Sequence, residues 1–207
     1  MKHIPPARRA REEVEALGIA KPSIDFDMLE KWVGALAKRS SLLNLIGPDE
    51  MRRIWPRHIL ESFAYAQMLD PSRPVLDAGS GCGLPGIPLA LLGYRVTLLE
   101  PRRKRYLFLR YSTETLGIPA RAVRGRLEEV AGEAPNHCQF VCRAVAEPGA
   151  MLRLLGGYTG SEGTLTLRQP PGAVLGKGAR LCRLASPPLD RDGVLVQFRL
   201  PEDHRHG

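Results

Sequence analysis

Two acidic residues with a run of glycines between them carry most of the chemistry legible in this chain. Val75-Leu-Asp-Ala-Gly-Ser-Gly-Cys-Gly-Leu-Pro-Gly-Ile-Pro88 reads as a buried strand ending at Asp77, then Gly79, Gly81 and Gly83, then a helix rich in Leu and Ala. Glycine is needed where the chain turns sharply and a ligand comes close to the backbone, because a Cβ would clash. A loop of this kind at the carboxyl end of the first strand is a ligand crevice. Gly81-Cys-Gly-Leu-Pro-Gly86 also satisfies the dinucleotide fingerprint, so the loop alone leaves two cofactors open, a nicotinamide dinucleotide and S-adenosylmethionine. Glu100, closing the second strand, can accept both ribose hydroxyls of either. Asp77 separates the two. A carboxylate beside the loop repels a pyrophosphate and tolerates a sulfonium with its ammonium group, which favours the methyl donor.

The partner is suggested by charge. The formal net charge is +8. Residues 102–126 hold Arg102, Arg103, Lys104, Arg105, Arg110, Arg121, Arg124 and Arg126 against Glu114 alone, so nearly the whole imbalance is local. A concentrated positive field favours a polyanion, because neutralising phosphates releases condensed counterions. A solvated helix face is the simpler account of such a run.

The elements that must position these groups follow from periodicity. Phe26, Leu29, Trp32, Val33 and Leu36 recur at helical spacing after Ser23, a candidate cap, which predicts a helix over residues 24–38. A shorter helix precedes it, ending at Gly18. A further apolar series, Ile59, Phe63, Ala66 and Leu69, is expected to begin after Pro56, whose fixed φ suits a first turn. After Pro74 the texture changes. Residues 75–77, 95–99, 120–123 and 139–142 are short strand candidates separated by helix-length segments, the βαβα alternation of a parallel sheet covered on both faces. Residues 163–168, 179–184 and 193–200 are three more strands between Pro- and Gly-rich turns. The expected division is an N-terminal helical extension (1–72) and a cofactor-binding core (73–207), in one compact unit. There is no apolar run long enough to span a bilayer and no secretory signal, and the four cysteines lack the spacing of a disulfide framework; a soluble, cytoplasmic protein with reduced thiols is expected.

Six signatures in one order then resemble a known family, the bacterial glucose-inhibited division protein B type enzymes, which are 16S ribosomal RNA guanosine-N7 methyltransferases. They are Asn44-Leu-Ile; Arg57-His-Ile-Leu-Glu-Ser62; the loop 77–88 with its Gly-Leu-Pro-Gly-Ile-Pro string; Leu98-Leu-Glu100 with Arg103-Lys-Arg105 and Phe108-Leu-Arg110; Gly125-Arg-Leu-Glu-Glu129; and Cys142-Arg-Ala-Val-Ala146. The likeness runs from about residue 29 to 168. Glu61 stands where that family usually carries aspartate, and the Lys-Gly pair common after its fifth strand is missing near Arg168. The resemblance implies a Rossmann-like class I methyltransferase fold, an α/β unit with a seven-stranded, mostly parallel sheet, helices on both faces and an N-terminal helical extension. It also implies S-adenosylmethionine as cofactor and 16S ribosomal RNA or the small ribosomal subunit as partner. Carried over position by position, it assigns the donor to the loop at Gly79 and Leu84, to Leu127 and Glu128, and to Arg143; Ser80, Gly81 and Gly83 of the same loop are expected to line the donor too, with Glu100 on the ribose. Arg102, Arg103, Lys104, Arg105, Arg126 and His58 are the expected RNA contacts.

Guanine N7 has a free in-plane lone pair, so no general base is required and no single catalytic residue is expected. Other motifs carry less. His58 alone on a helix is as well explained structurally, and turn chemistry accounts for Asn44. Cys138 and Cys142 beside His137 lack the further ligands that zinc needs. His204 and His206 sit in a polar tail. Two other classes remain as alternatives: a nicotinamide-dependent oxidoreductase, and a non-catalytic basic RNA-binding assembly factor.

Overall fold

The computed structural model describes residues 3–19, 24–131, 134, 138–143, 147–155, 158, 160, 162–173 and 178–200. Ser23, His137, residues 144–146, His204 and His206 lie outside them.

Helices come first: α1 (Ala7–Glu15), α2 (Phe26–Leu43) and α3 (Pro48–Arg52), then a π-helical turn (Ile54–Ile59), α4 (Leu60–Ala64) and a 3-10 turn (Tyr65–Met68). α2 buries the face its spacing predicted, Phe26, Leu29, Trp32, Val33 and Leu36. Asp25 supplies its side-chain cap, accepting the Met28 N–H at 2.9 Å. The helix runs on past residue 38 and closes at Asn44 with φ 51, a left-handed conformation that asparagine tolerates. The helix expected after Pro56 begins earlier, at Ile54, and Pro56 lies inside the wide turn. Proline has no N–H to donate, so a helix that contains one must adjust locally, and a widened turn is one such adjustment. The Pro56 carbonyl accepts the Asp190 backbone N–H at 3.3 Å.

Seven strands follow: β1 (Val75–Ala78), β2 (Val96–Leu99), β3 (Ala120–Val123), β4 (Gln139–Cys142), β5 (Thr164–Gln169), β6 (Arg180–Leu184) and β7 (Gly193–Arg199). They form one sheet in the order β3-β2-β1-β4-β5-β7-β6. The first five are parallel, while β7 runs antiparallel to both β5 and β6. A dinucleotide fold places a parallel strand beside β5 in the order 3-2-1-4-5-6. The antiparallel β7 wedged there departs from that pattern and speaks against the nicotinamide alternative.

Between the strands run α5 (Gly86–Leu91), α6 (Arg103–Glu114), α7 (Leu127–Val130) and α8 (Pro148–Leu154). Because side chains alternate along a strand, the sheet builds two cores. Val75, Val96, Leu98 and Val141 pack with Leu29, Trp32, Phe63, Ile87 and Phe108 of the helical layer. Leu76, Ala78, Leu99, Phe140 and Leu165 pack with Leu127, Met151 and Tyr158 on the other face. The expected mostly parallel, seven-stranded α/β fold with helices on both faces and helices before the first strand is therefore present. Asp77 shares the parity of Val75, so its carboxylate enters the face covered by the helical layer.

Candidate functional site

Asp77 is 1% exposed at the end of β1. Its Oδ2 accepts the Gly86 N–H at 3.0 Å, while Oδ1 has no hydrogen-bond partner. Burial lifts its carboxyl from 3.8 to about 7, against the opposing hydrogen bonds from Gly86 and Ser80 and the charge of Arg143. An ionised carboxylate held out of water with one oxygen free is stabilised by a cation, so the foot of the loop is shaped for a positively charged group.

Two glycines make that arrangement possible. Gly83 has φ +106, and a Cβ there would lie 2.4 Å from Ile87 Cδ1. At Gly86 a Cβ would lie 2.3 Å from Leu98 Cδ2 and 2.7 Å from Asp77 Oδ2. Only a bare backbone lets α5 start against the Asp77 carboxylate.

Glu100 follows β2 and is also buried. Its Oε2 accepts the Gly81 N–H at 3.0 Å and its Oε1 the Arg102 N–H at 2.8 Å. The carboxylate thus braces the loop and the start of α6, with lone pairs left for a diol.

On the other core face, Gly79, Leu127 and Glu128 line one cleft of about 120 Å³ with Ala78, Leu99 and Arg126. The chain reaches it from the ends of β1, β2 and β3, the carboxyl edge of the sheet. Three residues assigned to the donor, 79, 127 and 128, therefore meet there with Arg126, which was assigned to RNA. Ser80, Gly81, Gly83, Leu84 and Glu100 gather around the loop itself. A larger cavity, about 510 Å³, lies elsewhere, between Pro171, Leu181, Arg183 and Val194, and none of the acids just described lines it.

Arg143 follows β4 and turns toward the helical layer. Its Nη1 lies 2.7 Å from His58 Nδ1, and His58 Nε2 lies 2.7 Å from Glu50 Oε2. Burial and the Arg143 charge push the imidazole down to about 4, against Glu50, so at neutral pH the ring is neutral. Its partners set the tautomer: Nδ1 accepts from Arg143 and Nε2–H donates to Glu50. His58 was expected to touch RNA. It is buried, with both ring nitrogens engaged by Arg143 and Glu50.

Sequence reasoning missed what surrounds it. Glu61, 1% exposed, lies 3.2 Å from Arg168 Nε, 3.8 Å from Arg191 Nε and 4.0 Å from Arg143 Nη1. One signal was available: a carboxylate set among Ile59, Leu60 and Phe63 must be paired if that helix is buried.

Arg102, Arg103, Lys104 and Arg126 are exposed at the same carboxyl edge. Arg105 is half-buried and donates to the Asn44 carbonyl at 3.4 Å, passing over the glycine loop. The buried thiols of Cys82 and Cys138 are pushed up to about 11 and about 12 by burial, so neither is a nucleophile at neutral pH. Among the described residues no three His, Cys, Asp or Glu side chains cluster as a metal would require, and no helix is long and apolar enough to cross a membrane.

A family model described as rRNA small subunit methyltransferase G matches residues 25–167. Proteins named ribosomal RNA small subunit methyltransferase G are similar over much of the chain. That of Mycobacterium leprae (strain TN) is 37% identical over 147 residues, 63% of this chain and 58% of its own length. That of Mycolicibacterium vanbaalenii is 41% identical over 152 residues, covering 70% and 64%. That of Rhodococcus jostii (strain RHA1) is 37% identical over 155 residues, covering 66% and 68%. The matched stretch thus spans about three fifths to two thirds of these relatives. Among solved structures, MtNAS in complex with MTA and tNA superposes with TM-score 0.57 at 20% identity, covering 92% of this chain and 81% of that one. A mutant of MtNAS in complex with S-adenosylmethionine gives 0.55 at 20% identity, covering 92% and 84%. At that identity the likeness is one of fold.

Proposed function

Because this chain belongs to the rRNA small subunit methyltransferase G family, we propose that it is an enzyme that moves the methyl group of S-adenosylmethionine to N7 of a guanosine in 16S ribosomal RNA. The observation that carries this reading is the buried Asp77, with a free oxygen at the foot of a glycine loop and Glu100 braced beside it. When bound, the donor supplies a methyl group made electrophilic by its sulfonium. Asp77 balances the donor's positive charge, and Glu100 receives the ribose hydroxyls. Gly79, Leu127 and Glu128 frame the adenine, and Gly81 and Gly83, flanked by Ser80 and Leu84, let the loop backbone come close to the donor. Arg143, oriented by His58, stands at the edge where donor and acceptor meet.

No proton has to be removed before transfer. Held by Asp77 and Glu100, the donor would supply an electrophilic methyl carbon to the N7 lone pair, with its sulfur leaving as a neutral thioether. What the protein contributes is alignment of the three atoms, an entropic term that can supply roughly 7–11 kcal/mol. N7 lies in the narrow major groove of an RNA helix, so the target base must come from an irregular or opened region. Arg102, Arg103, Lys104, Arg105 and Arg126 hold phosphates around it. A ribosomal substrate, as bare 16S RNA or as the small subunit, places the activity in the cytoplasm.

Labelled donor offered to small subunits, bare 16S RNA and DNA tests the proposal. Label on guanine N7 of RNA is the expected result; a complete absence of label from RNA sinks it and leaves the assembly-factor alternative.

Asp77 also predicts a pH dependence. Its carboxyl is raised to about 7, so the native state holds a proton that the unfolded chain releases near 3.8. The associated stability is fully present below 3.8 and lost as pH rises through about 7. A cation prefers the ionised form, so affinity for S-adenosylmethionine should rise about tenfold from pH 6 to pH 8. Calorimetry in buffers of different ionisation heat should detect the proton released. Affinity that is flat with pH would remove Asp77 from this role.

A further inference from the structure

The arginines collected around Glu61 outnumber the acids that hold them. Arg53 lies 2.9 Å from Glu50 and 3.6 Å from Asp190; Arg57 lies 2.9 Å from Glu50 and 3.2 Å from Asp190. Among the described residues, Arg143, Arg168 and Arg191 share Glu61 within 4.0 Å, and the charge of Arg143 also acts on the buried Asp77. With His58 neutral, five guanidinium groups among the described residues face three carboxylates at ion-pair distance, with Asp77 a more distant fourth beside Arg143. Burying surplus charge is costly unless a counter-ion completes the set.

The surplus is concentrated at one place. Arg143 and Arg168 have 15% and 10% of their side chains exposed, whereas Arg191, in the turn between β6 and β7, has 42%. Burial and the like charges of Arg168, Arg57 and Arg143 lower the pKa of Arg191, against Glu61. A guanidinium presents a fixed fork of donors that matches the oxygens of a phosphate.

Topology gives the cluster its meaning. Arg143 follows β4 and Arg168 is near the end of β5, two strands that run parallel to β1. The cluster thus lies at the same carboxyl edge as Asp77, on the β4–β5 side. Arg102, Arg103 and Lys104 lie on the β2–β3 side of the loop. We infer that the arginines around Glu61 bind a backbone phosphodiester of the RNA substrate, so that a strand crossing the edge is held on both sides of the donor loop. This rests on the RNA methyltransferase function proposed above and adds a second phosphate contact to it. Two clamps with the donor between them would leave the intervening base free to turn inward.

Arg191 is the variant to use, since it is the most exposed of the three on Glu61 and its loss leaves Arg143 and Arg168 paired. Binding of the full chain to deproteinised 16S RNA is measured across a range of salt concentrations, alongside label transfer and S-adenosylmethionine binding. Arg191→Ala should weaken RNA binding about three- to tenfold near 0.1 M salt and flatten the slope of log K against log salt by about 0.7. Arg191→Lys should restore most of both, and donor affinity should stay within twofold. An unchanged slope and Kd for Arg191→Ala overturns the inference. A flattened slope in a chain that transfers no label supports the phosphate site and overturns only the proposed transfer; a wild-type chain that binds no RNA overturns both.

Discussion

Replacing Gly86 by alanine should reduce affinity for S-adenosylmethionine by about ten- to a hundredfold. The added Cβ would sit 2.3 Å from Leu98 Cδ2, 2.7 Å from Asp77 Oδ2 and 3.1 Å from Asp77 Cβ, and both neighbours are buried. Neither can retreat without displacing the core. Overpacking of this kind costs about 1–3 kcal/mol. The Gly86 N–H to carboxylate bond is lost with it, a charge-assisted contact worth about 1.5–3 kcal/mol. Part of that sum appears as a lower melting temperature and part as a misplaced Asp77. Gly34 supplies the control: in α2, a Cβ at that position meets nothing within 4 Å. Gly34→Ala should leave binding intact and stabilise the helix by about 0.5–1 kcal/mol. Near-normal donor affinity in Gly86→Ala by calorimetry would show that the Asp77–Gly86 contact does not shape the site.

Glu61→Ala should be the most destabilising single change in the arginine cluster, by about 3–5 kcal/mol in urea unfolding. Removing the carboxylate leaves the largely buried Arg168 without its ion-pair partner and Arg143 with the more distant Asp77. Glu61→Gln keeps the volume and one acceptor oxygen and should fall between alanine and wild type. Adding Arg168→Leu to Glu61→Ala should recover part of the loss, because the guanidinium left unpaired is then gone too. A loss below about 1 kcal/mol for Glu61→Ala would mean that the arginines find water readily and that the cluster is not a buried one.

Much of this architecture was legible residue by residue. Positions 120–123 and 139–142 read as strands and are strands with the same bounds, because short runs of apolar or β-branched residues between turn signals need no distant partner to be recognised. The glycine loop was legible for the same reason: Asp77, three glycines and Glu100 lie within one βαβ unit. What was not legible depends on long-range pairing. Nothing local to residues 193–199 says that they insert beside β5 in the opposite direction. Nothing local to Pro56 says that a helix runs through it in a wider turn, since the proline rule points to a start. The arginine cluster is drawn from positions 53, 57, 143, 168 and 191, and only the folded topology brings them together.

Tyr65 is fully buried, and its hydroxyl donates to the Cys142 carbonyl at 2.9 Å across 77 positions of sequence. The chain leaves β4 on its way to Arg143 under the control of a side chain contributed before the first strand. A lesion in the helical layer that displaces Tyr65 can therefore masquerade as damage to the proposed methyl-transfer site, with the sheet itself untouched. A screen that sorts variants by activity alone would misfile such scaffold defects, and pairing each assay with a melting curve would tell the two apart.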